Sequence, residues 1–168
     1  MTAGIEIRRA WDDDFAELRR IRLEALLDEP DAYGMTYAEA ITLRDEQWRQ
    51  IASGWNYFLA FSGERAVGMA SGGRYVPMPD ARWLYGMFVT PAWRGTDVAH
   101  GLVRSVAEWA RLEGVDKLGL HVTASIPRAR AFYAKLGFEP TGDSEPMRRD
   151  PSLELLMLVT SLSINDRI

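Results

Sequence analysis

The sequence contains no cysteine, which excludes a disulfide framework, a thiolate metal site and a cysteine nucleophile. Its two histidines, His100 and His121, are too few for a histidine-rich zinc site, and we expect no metal. We interpret His100 as a surface residue and His121 as a packed or edge residue of a strand. No apolar run approaches the roughly 20 residues of a membrane helix, and the start lacks a signal-peptide pattern. These absences predict a cytoplasmic protein with no membrane partner.

A strong charge of either sign is also missing, since 20 basic and 24 acidic residues leave a net charge of -4 over 168 residues. This slight acidity argues against a nucleic-acid partner. The length suits one domain with a substantial core and is short for two. We therefore predict a single domain over residues 1–160, followed by a tail over 161–168.

The first half of the chain alternates between strand and helix patterns. Strands are predicted over residues 5–8, 57–61 and 66–75. Asp12 can cap a helix, and Thr42 with Asp45 has the spacing of a capping box that opens a shorter one. The apolar face expected for the first helix comprises Phe15, Leu18, Ile21 and Leu26.

The second half follows the order strand, helix, strand, helix, strand. The predicted bounds are 83–89, 95–113, 118–122, 126–137 and 153–160. Gly114 and Gly137 are expected to end the two helices. Gly142 and Pro146 predict a loop before the last strand. Antiparallel hairpins followed by strand–helix alternation predict an α/β domain with one mixed sheet and helices on both faces.

The most informative segment follows the strand at 83–89. Pro91 interrupts the strand, Arg94 and Gly95 form a short turn, and a helical pattern begins. The start of a helix presents unpaired backbone N–H groups and the positive end of the helix dipole, which together suit a phosphate or pyrophosphate. By itself the segment is equally consistent with an ordinary strand-to-helix turn.

A second segment, residues 131–138, makes the interpretation of the first segment more specific. The patterns are Pro91-x-x-Arg94-Gly95-x-x-Val98-Ala99-x-x-Leu102 and Ala131-Phe132-Tyr133-x-Lys135-Leu136-Gly137-Phe138. Together they closely resemble the GNAT superfamily of acyl-CoA-dependent N-acetyltransferases, strongly over residues 83–140 and more loosely over 5–75. The resemblance implies the acyl-CoA N-acyltransferase fold, with a mostly antiparallel sheet of about six to seven strands. It also implies acetyl-CoA as cosubstrate.

The resemblance implies where acetyl-CoA binds. The backbone of the strand end would pair with the pantetheine arm, the N–H groups of the turn would hold the pyrophosphate, and Arg94 would add a positive charge beside it. Gly95 allows close approach because it has no Cβ. The implied cofactor residues are Met87, Phe88, Val89, Arg94, Gly95, Thr96, Asp97, Val98, Ala99, Ser125, Arg128 and Phe132.

Two positions depart from the family pattern. Asp97 replaces a usual glycine, and Ile126 replaces a usual asparagine that hydrogen-bonds the pantetheine. Our hypothesis is that Asp97 caps its own helix and points away from the cofactor, so that binding is somewhat weakened. Ser125 is the nearest polar substitute for the missing asparagine.

The resemblance also bears on catalysis. Tyr133 matches the tyrosine that protonates the departing CoA sulfur, although a helix tyrosine packed in the core is the alternative. The strand over 83–89 lacks the acid that many relatives use as a base. Tyr85 lies near the matching place, where it would relay a proton through water or shape the acceptor pocket. Carboxylates and aromatic residues in and after the first helix are candidates for binding the amine: Glu24, Asp28, Asp31, Tyr33, Tyr37 and Glu39.

The expected function is acetyl transfer from acetyl-CoA to a primary amine of a small molecule or protein, by direct attack in a ternary complex. One alternative is a non-catalytic acyl-CoA-binding or regulatory module with a degenerate acceptor site. Another is an interaction domain without a ligand. Because relatives are often dimers, a homodimer is an option, and the tail residues Leu162, Ile164 and Ile168 could pack on a neighbour.

Overall fold

A computed structural model describes residues 4–163, 165, 167 and 168. Its helices are α1 (Phe15–Asp28), α2 (Tyr37–Ala40), α3 (Asp45–Gly54), α4 (Val98–Leu112) and α5 (Pro127–Lys135). Its strands are β1 (Ile5–Arg9), β2 (Asn56–Ser62), β3 (Arg65–Gly73), β4 (Arg82–Val89), β5 (Lys117–Thr123), β6 (Glu139–Met147) and β7 (Asp150–Ser161). None of the helices in this described part is long and apolar enough to cross a membrane.

The strands form one mixed sheet of seven strands in the order β1-β2-β3-β4-β5-β7-β6. Adjacent strands run antiparallel except β4 and β5, which are parallel. This architecture confirms the predicted fold class.

The parallel contact between β4 and β5 is short. It joins residues 82–84 to residues 118–120 and extends no further. Just beyond it, β4 contains Gly86 at φ +61°, and the β3–β4 register shifts between Met69 and Ser71. Only glycine adopts such a φ at low cost, so Gly86 allows a bulge that redirects the end of β4. Residues 85–89 of β4 therefore separate from β5, and we call this opening the strand gap.

Two apolar cores cover the two faces of the sheet. The first lies under α4 and α5 and includes Leu102, Val106, Leu120 and Tyr133. The second lies under α1 and α3 and includes Leu18, Ile21, Trp48 and Met69. The apolar face predicted for the first helix is confirmed, since Leu18, Ile21 and Leu26 are buried. Helices from opposite faces thus approach the strand gap from opposite sides.

The segment predicted as a loop around Gly142 and Pro146 is instead the edge strand β6. Its residues are mostly exposed, so no apolar alternation marks it in the sequence. Prolines are tolerated at the edge of a sheet, because an edge strand needs to donate hydrogen bonds on one side only. The positive φ of Gly142, +90°, accompanies the irregular register between β6 and β7.

The predicted capping box at Thr42 is wrong. Arg44 precedes α3, whereas the reciprocal cap forms one helix earlier, between Thr36 and Glu39. The Thr42 hydroxyl instead donates to the Glu39 carbonyl over 2.6 Å. Both threonines are followed by an acid three residues later, so the spacing alone did not distinguish them.

The tail packs onto its own domain. Leu162 is buried in the first core, and Ile168 packs against that core. Ile164 lies outside the described residues. Strand β7 ends at Ser161, one residue beyond the predicted end of the domain.

Candidate functional site

The connection from β4 to α4 has the features expected of an anion site. Gly95 has φ +75° and no atom within 4 Å of the position a Cβ would take. In the part of the chain that the structure describes, the backbone N–H groups of Gly95, Thr96, Asp97 and Ala99 have no backbone acceptor. These groups surround the first turn of α4, where the helix dipole is positive. The turn can therefore bind a phosphate group.

The prediction that the Asp97 side chain caps α4 is wrong. Asp97 holds the N-cap position, but its carboxylate makes no capping hydrogen bond. Its backbone is already helical, with φ -75° and ψ 0°, whereas capping requires the extended conformation that turns the side chain back toward the helix. The Thr96 hydroxyl instead accepts a long hydrogen bond of 3.4 Å from the Val98 N–H. Asp97 remains exposed at the turn.

Arg94 folds back onto the end of β4. Its Nε donates to the Val89 carbonyl over 3.1 Å, and its guanidinium forms an ion pair with Asp28 at the end of α1. The same guanidinium lies 5.6 Å from the centre of the Phe88 ring. We call this arrangement the Arg94 latch. In it, the Arg94 side chain is hydrogen-bonded to the Val89 carbonyl, which is predicted to pair with pantetheine. The predicted phosphate contact of Arg94 requires the latch to open.

Tyr133 lies in the first core next to the strand gap. Its ring packs edge-on against Phe132 and Phe138, with centroids 5.2 and 5.7 Å away. Burial raises the pKa of Tyr133, so the phenol stays protonated. Among the described residues its hydroxyl has no hydrogen-bond partner, which leaves the proton available to a ligand. Phe132 itself is half-buried.

Tyr33 reaches the strand gap from the opposite side. It is buried, and its hydroxyl donates to the Met87 carbonyl over 2.9 Å. Burial, with a smaller contribution from neighbouring Tyr133, raises the pKa of Tyr33. Tyr33 belongs to the second core and Tyr133 to the first, so the two phenols lie on opposite faces of the sheet.

The loop after α1 is held over the gap by contacts from two other segments. The Thr123 hydroxyl donates to the Asp31 carbonyl over 2.8 Å. Arg149, in the turn between β6 and β7, donates from Nε to the Tyr33 carbonyl over 2.9 Å. These contacts place the predicted acceptor residues Asp31 and Tyr33 beside the gap.

An aromatic and acidic cluster lies on the same face, where β4 and β5 part. Trp83 Nε1 donates to His121 Nδ1 over 3.0 Å, and Tyr75 stacks on Trp83 at 4.5 Å. Glu145 of β6 accepts a 3.0 Å hydrogen bond from the Tyr75 hydroxyl and lies 3.5 Å from His121 Nε2. We call these four residues the Glu145 cluster.

The contacts of His121 define its protonation. Trp83 Nε1 is only a donor, so the facing Nδ1 must carry no proton, and the neutral ring carries its proton on Nε2. Burial lowers the pKa of His121 and favours this neutral form. His121 thus presents an N–H toward Glu145. The expectation of a packed strand histidine agrees with this position, but its link to an acid was not foreseen.

Most of the predicted acceptor carboxylates have partners. Glu24 pairs with Arg20 at 3.0 Å, Glu39 caps α2, and Asp28 belongs to the Arg94 latch. Tyr37 is the first residue of α2 and packs against the second core. Glu145 was missed because it lies in the stretch predicted as a loop. Its place depends on the pairing of β6 with β7, which brings Glu145 opposite Leu155.

Tyr85 faces this cluster but has a tethered hydroxyl. The hydroxyl donates to the Arg74 carbonyl over 3.0 Å, and burial raises the pKa of Tyr85 to about 12. A phenol with this pKa is a poor proton acceptor near neutral pH. Of its two predicted roles, the geometry favours shaping the pocket over relaying a proton.

The remaining predicted cofactor residues lie at the start of α5. Ser125 is exposed in the β5–α5 connection, and Ile126 precedes the helix. Arg128 is exposed and forms an ion pair with Glu29 of the loop after α1. No group of three or more His, Asp or Glu side chains within the described residues is arranged to hold a metal ion.

Comparisons with known proteins agree with the geometry. The model of the Acetyltransferase (GNAT) family matches residues 13–138. The fold is similar to an acetyltransferase of the GNAT family from Streptococcus pneumoniae, with a TM-score of 0.76 and 20% identity over 94% of this chain and 99% of that one. It is also similar to yncA from Salmonella typhimurium, an acetyltransferase solved with its cofactor acetyl-CoA, with a TM-score of 0.73 and 19% identity over 95% and 94%.

A third similar structure is the ribosomal-protein-alanine N-acetyltransferase from Brucella melitensis, with a TM-score of 0.73 and 21% identity over 93% of this chain and 99% of that one. At these identities the structural likeness concerns the fold alone. A comparison with curated protein sequences gives no match.

Proposed function

Since the chain belongs to the GNAT family of acetyltransferases, we propose that it transfers the acetyl group of acetyl-CoA to a primary amine of a small molecule or protein, by direct attack in a ternary complex. The observation that carries this proposal is the turn before α4, beside the opened end of β4, where several backbone N–H groups have no backbone acceptor in the part of the chain that the structure describes. That combination suits a ligand with a diphosphate and an extended amide-bearing arm.

The residues present fit such a ligand. The N–H groups between Gly95 and Ala99 would hold the diphosphate. Within the described residues, the end of β4 from Met87 to Val89 has no strand partner on its β5 side, and it would pair with the pantetheine amides. The Val89 carbonyl becomes available to that arm once the Arg94 latch opens. Acetyl-CoA supplies the acyl group at the far end of this path, beside the strand gap.

The transfer needs one proton donor and one proton acceptor. The amine nitrogen forms a bond to the carbonyl carbon, the carbon–sulfur bond breaks, the thiolate gains a proton, and the ammonium nitrogen loses one. Tyr133 is the donor that the geometry favours, because its phenol is kept protonated by burial and its hydroxyl lacks another partner in the described residues. Backbone N–H groups near Val89 would polarise the carbonyl.

Glu145 is our candidate for the proton acceptor. Its carboxylate accepts a hydrogen bond from the Tyr75 hydroxyl and lies 3.5 Å from His121 Nε2, on the face opposite Tyr133. An ammonium group approaching from that face would meet a carboxylate and three aromatic rings, which favours binding of a cation. Glu145 therefore takes the place of the acid that β4 lacks.

The proposal is tested by calorimetry with acetyl-CoA and by thiol release with a panel of primary amines. We expect Tyr133→Phe to lower kcat by at least about tenfold, in the range of general acid catalysis, with the Kd for acetyl-CoA unchanged. Tyr37→Phe is the matched control, because Tyr37 lies in α2 and packs on the second core. The absence of acetyl-CoA binding would overturn the proposal.

A second candidate is an acyl-CoA-binding module without turnover. Asp97 in the phosphate turn, Ile126 before α5 and the absence of an acid in β4 favour it. The same experiments separate the two functions. Binding of acetyl-CoA without thiol release for any amine would support the module. In that case neither Tyr133→Phe nor Glu145→Gln would change a measured rate.

A further inference from the structure

Arg22 of α1 is a cation that has no ion-pair or hydrogen-bond partner among the described residues, although its guanidinium lies over the ring of Tyr33 at the strand gap. One Nη of its guanidinium lies 3.1 Å from the position that a Cβ on Gly86 would take. Its Cζ lies 5.0 Å from the centre of the Tyr33 ring. Among the described residues, no carboxylate or carbonyl accepts a hydrogen bond from this guanidinium. Arg22 is half-buried, so its donors are partly removed from water without a protein acceptor.

Neighbouring arginines on the same helix are paired. Arg19 contacts Asp45 at 3.4 Å, and Arg20 contacts both Glu17 and Glu24 at 3.0 Å. The carboxylate at the end of the helix, Asp28, pairs with Arg94. A partly buried guanidinium without an acceptor carries a desolvation cost. An anionic ligand would offset that cost at Arg22.

Arg22 lies where we expect the amine that accepts the acetyl group to bind. Gly86 forms the bulge at which β4 separates from β5. The carbonyl of the next residue, Met87, accepts the hydrogen bond from the Tyr33 hydroxyl. Tyr133 lies under the opposite face of the sheet, in the core below α5. A molecule that reaches the gap from the α1 side therefore passes Arg22 before it meets the thioester.

The donors around Arg22 suit a carboxylate. The Tyr57 hydroxyl lies 3.6 Å from the same Gly86 position, and the Ser71 hydroxyl, which donates to the Tyr85 carbonyl over 3.3 Å, lies 3.7 Å from it. A single guanidinium presents a planar fork that matches the two oxygens of a carboxylate. A phosphate, with a charge near -2 and three terminal oxygens, is usually bound by several cations or by a helix start. One cation with nearby hydroxyls therefore favours a carboxylate.

We propose that Arg22 binds the carboxylate of the acceptor, and that the acceptor is an amine that also carries a carboxylate, with a free amino acid as the simplest case. This inference rests on the proposed acetyltransferase function and specifies its substrate class. Arg22 would bind one end of the acceptor, and the Glu145 cluster would bind the ammonium group. The pocket would thus select for both charges of the molecule.

The test compares amino acids with their amides and with the corresponding decarboxylated amines, for example phenylalanine, phenylalaninamide and phenethylamine. With the wild-type protein we expect a KM at least about tenfold lower for carboxylate-bearing acceptors, the effect of one charge-assisted hydrogen-bonded pair. Arg22→Gln should raise the KM of the acids by that factor and raise the KM of the amides by a clearly smaller factor, so that the preference for the acids is lost. Arg22→Lys should restore part of the preference. Arg19→Gln is the matched control on the same helix.

A binding measurement keeps this test independent of turnover. N-acetylphenylalanine and its amide are titrated calorimetrically into the protein with CoA present. Preference for the acid that disappears in Arg22→Gln supports the proposal. Equal binding of the two, equal slowing of acids and amides by Arg22→Gln, or a better KM for O-phosphoethanolamine would overturn it. Failure of the acetyltransferase function itself would appear separately, either as the absence of acetyl-CoA binding or as binding without thiol release for any amine.

Discussion

The Arg94 latch should compete with acetyl-CoA. The side chain occupies the Val89 carbonyl and pairs with Asp28, so opening it costs free energy each time the cofactor binds. Asp28→Asn removes the ionic part of the latch and leaves the turn before α4 intact. We therefore expect this variant to bind acetyl-CoA more tightly than the wild-type protein.

The magnitude follows from the exposure of the pair. The side chains of Arg94 and Asp28 are 28% and 31% exposed, so solvent screens much of their attraction. Pairs near the surface contribute about 0.2–1 kcal/mol. Loss of that contribution from the free protein lowers the Kd by up to about fivefold. The gain should shrink at about 0.5 M salt, where exposed charges are strongly screened.

The assay is calorimetric titration of acetyl-CoA into both proteins at low and high salt. Asp45→Asn is the control, because Asp45 pairs with Arg19 on the surface away from the turn. Weaker binding by Asp28→Asn, or an unchanged Kd at low salt, would refute the latch. Arg94→Gln then tests whether Arg94 also contacts the phosphates of acetyl-CoA. The variant binds acetyl-CoA more weakly if Arg94 makes that contact in the complex, and more tightly if the latch is the only effect of Arg94.

Three further predictions concern the turn and the sheet. Asp97→Gly should lower the Kd for CoA, since it removes a carboxylate that makes no cap beside the phosphate site; weaker binding would reject this. Gly119→Ala places a Cβ 2.1 Å from the buried Trp83 ring. The substitution should therefore destabilise the protein by about 2 kcal/mol and lower Tm by several degrees. The measurement is calorimetry, and the control is Gly54→Ala, where no atom lies within 4 Å of the new Cβ. Burial lowers the pKa of His121 in the folded protein. Below about pH 6.5 the unfolded chain therefore binds more protons than the folded protein. Protonation of His121 thus lowers the free energy of unfolding as the pH falls. Urea unfolding at pH 7.5 and 5.5 should show a smaller loss of stability for His121→Gln than for the wild-type protein, and equal losses would contradict the assignment.

The parts of the fold that the sequence predicted are those with a local signal. Strand β4 and helix α4 were recognisable from apolar periodicity, and Gly114, at φ +80°, ends α4 as expected. The turn before α4 was recognisable because proline, arginine and glycine occur together at a helix start, and its phosphate-binding role stays a prediction. These features depend on residues close together in the chain.

The parts that were missed depend on contacts between distant segments. Glu145 meets His121 only because β6 pairs with β7 and β7 pairs with β5. Arg22 resembles the other arginines of its helix in sequence, and the fold shows that, unlike them, it has no carboxylate partner among the described residues. Arg94 was expected at the phosphate, yet Asp28 is 66 positions away in the chain. Side-chain pairing over such separations has no periodic signature.

The two prolines of β6 restrict how two copies of this protein can associate. Pro140 and Pro146 sit on the outermost strand and have no amide hydrogen to give to a neighbouring molecule. Pairing of a foreign strand with β6 is therefore disfavoured at these two positions, whereas β1, the other edge strand of the sheet, contains no proline.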